Sequence, residues 1–78
     1  MKIIIQINER DNVAVALHPV HRGDTVEAGG ISVTAREEIP QGHKLALADI
    51  PSGGSVVKYA SVIGRATDRI AAGQWVHT

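Results

Sequence analysis

Ile39-Pro40-Gln41-Gly42-His43-Lys44-Leu45-Ala46-Leu47 is the stretch whose reading decides the fold. Proline presets φ at the first central position of a turn, and glycine accepts the positive φ at its exit. The Leu-Ala-Leu that follows continues as a short β pattern. The same apolar-x-x-Gly-x-x-apolar form recurs along the chain. It appears as Val20-His21-Arg22-Gly23 leading to Val26, Ile50-Pro51-Ser52-Gly53 leading to Val56, and Ile70-Ala71-Ala72-Gly73 leading to Val76. An apolar residue on each side anchors such a turn to a core. The spacings are uneven, so the sequence predicts one turn reused in a compact β domain rather than a solenoid.

Working outward, Lys2 to Ile7 reads as a first strand and Asp11-Asn12 as a turn signal. Val13-Ala14-Val15-Ala16-Leu17 has no polar residue and reads as a buried second strand. Ala28-Gly29-Gly30 predicts a hairpin turn into Ile31-Ser32-Val33-Thr34-Ala35-Arg36, which alternates at period two. Val56 to Tyr59 reads as strand, and Arg65 to Ala71 as turn or a single helical turn. Val56, Ala60, Ile63, Thr67 and Ile70 also sit at helical spacing, but β-branched pairs and Gly64 argue against a helix. Nine isoleucines and nine valines against three leucines and no phenylalanine give the chain a β-sheet composition. The expected fold class is all-β, a set of short bent strands with many Pro/Gly turns.

Seventy-eight residues make one domain, expected to span residues 1–78. A chain of this size buries only about 60% of its unfolded surface, so small domains commonly need a disulfide, a metal or a partner chain. Without cysteine, disulfides and thiolate metal sites are excluded, and oligomerisation, with itself or another chain, is the remaining prop. Eight basic and eight acidic residues balance, with no basic run to neutralise phosphates, which argues against nucleic-acid binding. No apolar stretch approaches the roughly 20 residues of a membrane span, and the N-terminal apolar run is too short for a signal peptide. The expectation is a soluble, cytoplasmic protein.

No complete catalytic set is visible in the residues themselves. Glu37 and Glu38 are adjacent, so on a strand they face opposite sides and read as a solvated strand end. His18-x-x-His21 has a spacing compatible with metal ligation, on a proline-containing loop that does not fix its geometry. His43 leaves the Pro-Gln-Gly turn beside Lys44 and suits a base or a ligand. Lys58-Tyr59 joins a cation and a phenol expected on opposite faces of a strand. Trp75 and Val76 are placed to tie down His77, and the default role of a single tryptophan is packing.

Asp11 to Leu17, Ile39 to Leu47, Val57-Lys58-Tyr59, Ile63-Gly64-Arg65-Ala66 and Ile70-Ala71-Ala72-Gly73-Gln74-Trp75-Val76-His77 occur in one order. That series resembles the SAF-type domain of the altronate and galactarate dehydratase family, over nearly the whole chain. The resemblance implies a β-clip fold, found in that family as an N-terminal domain or a separate small subunit. It implies a large catalytic partner, a sugar-acid substrate dehydrated to a 2-keto-3-deoxy acid, and a divalent metal, iron or manganese, held mainly by the large chain. It singles out His43, Lys44 and Lys58 as catalytic candidates and His77 as a metal-ligand candidate. The pattern departs at Tyr59-Ala60, where the family has Tyr-Gly, and alanine's narrower backbone range predicts an altered turn there. A related enzyme cleaves sulfite from sulfolactate, so a sulfo-lyase small subunit is one alternative. Another is a non-catalytic module for carbohydrate or protein, since SAF-type domains also occur in sialic-acid synthases and flagellar assembly chaperones.

Overall fold

The computed structural model describes residues 4–77. Its eight strands are β1 (Ile4–Ile5), β2 (Val13–Ala16), β3 (Thr25–Ala28), β4 (Ile31–Thr34), β5 (Lys44–Ala46), β6 (Ser55–Lys58), β7 (Ser61–Arg65) and β8 (Trp75–Val76). No helix forms among the described residues, and the class is all-β as composition predicts. The strand expected from Lys2 is observed from Ile4, and Lys2 and Ile3 lie outside the described residues.

A four-stranded antiparallel sheet, in the order β1-β2-β5-β8, runs through the centre. Its register pairs Val13 with Ala46, Val15 with Lys44, and Leu45 with Trp75. Each face of this sheet carries its own core. Ala14, Ala16 and Leu45 pack with Val26, Val33 and Ala35 of the β3–β4 hairpin, while Val13, Ala46 and Val76 pack with Val56 and Ala66 of the β6–β7 hairpin. A sheet buried on both faces needs apolar residues at every position rather than at alternate ones. That is why β2 reads Val-Ala-Val-Ala and why Leu45, Ala46 and Leu47 are all buried.

The four apolar-x-x-Gly turns sit in two bridged pairs. Val20 pairs with Ile39, and Ile50 with Ile70. In all four the glycine has positive φ, between 79° and 91°. The turn hydrogen bonds run from Asp24 N to His21 O, His43 N to Pro40 O, Gly54 N to Pro51 O and Gln74 N to Ala71 O. Glycine therefore occupies the second central position, as a type II turn requires. Proline stands one place earlier than expected, at the corner residue. Only its carbonyl is needed there, so its missing N–H costs nothing.

These bridges reveal an internal duplication that the uneven turn spacing hides. Gly23 and Gly53 stand 30 residues apart, and Gly42 and Gly73 stand 31 apart. The backbone repeats with them: Gly23 N donates to Ala35 O and Gly53 N to Ala66 O, while Ala16 N donates to His43 O and Ala46 N to Gln74 O. The single extra residue of the second copy is Ile63. The β6–β7 register passes from Val57 opposite Val62 to Val56 opposite Gly64, so Ile63 forms a β-bulge.

The segment expected as turn or helical turn from Arg65 begins instead at the end of β7, and Ser61–Arg65 is strand. The hairpin turns on Tyr59-Ala60, both at positive φ (56° and 58°). Neither residue is glycine or proline, so the turn is marked in the sequence through the resemblance and not by its own residue types. The expected opposite-face arrangement of Lys58 and Tyr59 also gives way, because Tyr59 belongs to the turn. The Lys58 ammonium lies 5.0 Å from the Tyr59 ring centroid, a cation–π contact.

Candidate functional site

Strands β5 and β8 place the site at their open end. Their register sets Lys44 opposite Val76 and Leu45 opposite Trp75. Carried one residue further, it sets His43 opposite His77. Paired residues share a face of a sheet and neighbours along a strand alternate. His43, Trp75 and His77 thus share one face, while Lys44 and Val76 take the other. The rings confirm this placement. His43 meets the Trp75 indole edge-on with centroids 5.0 Å apart, and His77 stacks on it at 4.1 Å with 29° between planes. Trp75 is held by its packing against the first core and by its backbone N–H, which donates to the Glu37 carboxylate at 3.0 Å.

A cleft of about 300 Å³ opens beside this stack, lined by Glu37, Arg65, Asp68, Arg69, Trp75 and His77 among others. Arg69 pairs with Asp49 at 2.9 Å on the surface. The second oxygen of Asp49 accepts from Ala72 N. The Ala72 amide and then the Arg69 guanidinium hold the Asp49 carboxyl below its usual range. Arg65 reaches Gly53 O at 3.3 Å, a long bond that leaves its other donors available. The cleft thus offers two guanidiniums, two carboxylates, an imidazole and an aromatic face. Such a wall can pair with a carboxylate, accept from hydroxyls and stack on a C–H surface.

Of the residues singled out by sequence, the fold joins His43 and His77 through Trp75. Lys44 is half-buried on the opposite face of the sheet. Lys58 lies on the β6–β7 hairpin, which is fastened to the other end of β2. There Asn12 takes Val57 N at 2.8 Å and gives its amide to Ser55 O at 2.9 Å. His21 pairs with Glu38 at 2.8 Å, and that bond together with the Arg22 N–H keeps the Glu38 carboxyl low. Among the described residues no three His, Cys, Asp or Glu side chains are grouped to hold a metal. Sequence reasoning passed over Glu37, Arg65, Asp68 and Arg69. The duplication is the signal that finds the carboxylates, because Glu37 and Asp68 each stand two residues before a bridging isoleucine, 31 apart.

The architecture defines a small two-core β domain with a polar cleft at one sheet end. Residues 2–78 match the altronate/galactarate dehydratase SAF domain, and the chain belongs to that family. It is 39% identical over 77 residues to altronate dehydratase of Bacillus subtilis (strain 168), covering 99% of this chain and 16% of that protein. With altronate dehydratase of Escherichia coli (strain K12) it shares 47% identity over 73 residues, 94% of this chain and 15% of the relative. It is 37% identical over 54 residues to the (2R)-sulfolactate sulfo-lyase subunit alpha of Paracoccus pantotrophus, covering 69% of this chain and 81% of that subunit. The chain therefore spans about one sixth of the dehydratases it matches. No helix among the described residues is long and apolar enough to cross a membrane.

Proposed function

We propose that this chain is the small part of a sugar-acid dehydratase of the altronate/galactarate type, and that it lends the His43–Trp75–His77 end to a site completed by a larger catalytic chain. The observation that carries this reading is the pairing of two imidazoles across one indole, beside a cleft whose mixed charges suit a polyhydroxy carboxylate. Family membership supplies the reaction class.

Dehydration of such an acid removes the proton α to a carboxylate and then expels the β-hydroxyl. A neutral imidazole can take the first proton, and an imidazolium can deliver one to the leaving oxygen. Arg65 is placed to pair with the substrate carboxylate, and Glu37 and Asp68 to accept from its hydroxyls. Trp75 holds the His77 ring at the cleft wall by stacking on it. His43, Lys44 and Lys58 do not line this cleft, so any catalytic part they take is played where the larger chain completes the site, with His43 tied to the cleft through its contact with Trp75.

Among the described residues the grouped donors fall short of a full coordination shell, which accords with a divalent metal held mainly by the large chain. His77 can contribute one nitrogen to a metal whose other ligands belong to the large chain.

The relation to the sulfo-lyase subunit favours a second arrangement. A protein of nearly the same extent acts there as a separate subunit, and loss of sulfite from a 2-hydroxy acid is likewise an elimination beside a carboxylate. Turnover of altronate, galactarate and sulfolactate by the assembled enzyme separates these readings. Replacing either histidine tests the site. His43→Ala and His77→Ala should each lower kcat by about 100-fold or more. Full activity in both histidine variants would overturn the assignment.

A further inference from the structure

The duplication supplies an internal control for surface chemistry. Two hairpins share one backbone plan, so a residue the fold itself demands should appear in both. In the first hairpin the outward-facing pair is Glu27 opposite Ser32, and the turn is Gly29-Gly30. In the second the equivalent pair is Val57 opposite Val62, the turn carries Tyr59, and Ile63 is inserted. Tyr59, Val62 and Ile63 are 60%, 58% and 43% exposed. On the inner face Val26 and Val56 are both buried, while Val33, Ala28 and Ile31 of the first hairpin give way to Gly64, Lys58 and Ser61 in the second. The shared plan therefore accounts for Val56 and leaves the apolar outer face of β6–β7 unexplained.

An apolar outer face is costly to expose and marks an interaction surface when the residues are contiguous. Here they surround one hairpin tip, with Lys58 beside them. Strand β7 also pairs on one side only, with β6, so its other edge presents backbone groups that an incoming chain can meet. The occupant follows from extent. About five sixths of each matched dehydratase lies outside this domain, and the relative of similar extent is by its name a subunit. A free domain of this size also has little core of its own to spare.

The geometry points to the outer face of β6–β7, built on Tyr59, Val62 and Ile63, as the surface that docks on the large catalytic chain. This rests on the reading of the domain as part of a larger enzyme, and it leaves the His43–Trp75–His77 end, at the far end of β2, free to face substrate.

The probe is the Escherichia coli altronate dehydratase lacking its own matching segment, produced alone or, where it does not fold alone, together with this chain. The chain should co-elute with it, or raise its soluble yield in co-expression. Val62→Ser with Ile63→Ser, which copies the first hairpin's polarity, should weaken that association about tenfold or more without changing the chain's own melting temperature. Glu27→Ala with Ser32→Ala on the first hairpin should leave it unchanged. Association that survives the Val62/Ile63 change, or is lost with the Glu27/Ser32 change, would overturn the surface while sparing the enzyme reading. Self-association of the pure chain through Ile63 would replace the large chain by a second copy and also overturn it. No association in either format would sink both the surface and the enzyme reading.

Discussion

The β3–β4 hairpin turns on Gly29-Gly30 and the β6–β7 hairpin on Tyr59-Ala60, yet the backbone passes through the same left-handed region in both, at φ 56° and 79° in one and 56° and 58° in the other. Glycine adopts that conformation freely, whereas a residue with a Cβ pays roughly 1–2 kcal/mol for it. The second hairpin answers this strain from outside. Asp11 is the one buried polar or charged residue among those described, and its carboxylate accepts from Ala60 N at 2.8 Å and Asn8 N at 3.1 Å. Burial alone would raise that carboxyl, but the N–H groups of Ala60, Tyr59, Asn8 and Ile7 outweigh it and hold it below the usual aspartate range. The lesson is that a turn can be encoded locally by two glycines or remotely by one anion.

The sharpest way to break this comparison is to remove the anion. Asp11→Ala should cost about 3 kcal/mol in urea unfolding, since charged hydrogen bonds to backbone donors are lost together. Hydrogen exchange should quicken in β7 more than in β4, and equal quickening in both would mean Asp11 serves the whole domain and not that turn. The effect also has a pH signature. A carboxyl depressed in the folded state stabilises the fold above its unfolded value, and that contribution is lost as pH falls through the folded one. The protein should therefore weaken below about pH 4, and Asp11→Asn should lack this part of the acid limb. Superimposable acid limbs would count against the clamp.

Next in size is the converse experiment on the first hairpin. Gly29→Ala should destabilise by about 1–2 kcal/mol, because the new Cβ takes a strained φ and runs into the Gln6 side-chain amide. The smallest effect should have the opposite sign. Ala60→Gly relieves strain and should stabilise by about 1 kcal/mol, raising Tm by about 4–8 °C in a domain of this size. A lowered Tm would show that the loss of alanine's rigidity outweighs the strain.

These residues also show how far the sequence could be read. Strands β2 and β5 were legible because two-sided burial writes itself as unbroken apolar runs, and the Gly29-Gly30 hairpin because its turn chemistry is local. Strand β7 was not. Tyr59-Ala60 carries no turn signal in its own residue types, and its clamp lies 49 residues away along the chain. The duplication escaped notice because glycine spacings of 19, 11 and 20 look irregular until bridging joins the first turn to the second and the third to the fourth. At the site, the resemblance singles out His43 and His77 as candidates, but their meeting depends on the β5–β8 register. Glu37 was read as a solvated strand end because the sequence does not show that a strand 38 residues later presents Trp75 N to it.

The β5–β8 pairing that assembles the site also sets when it can appear. Each hairpin closes within a dozen residues and can form early, since short loops lose little entropy on closing. The central sheet instead gathers β1, β2, β5 and β8 from both ends of the chain, and β8, an edge strand paired with β5 alone, is expected to add last. We expect φ-values near zero for substitutions in Trp75 and Val76 and higher ones in the hairpins, and values near one in β8 would reverse that order. The two imidazoles would then come together only once the rest of the domain has folded, so a partly folded chain presents no half-made site.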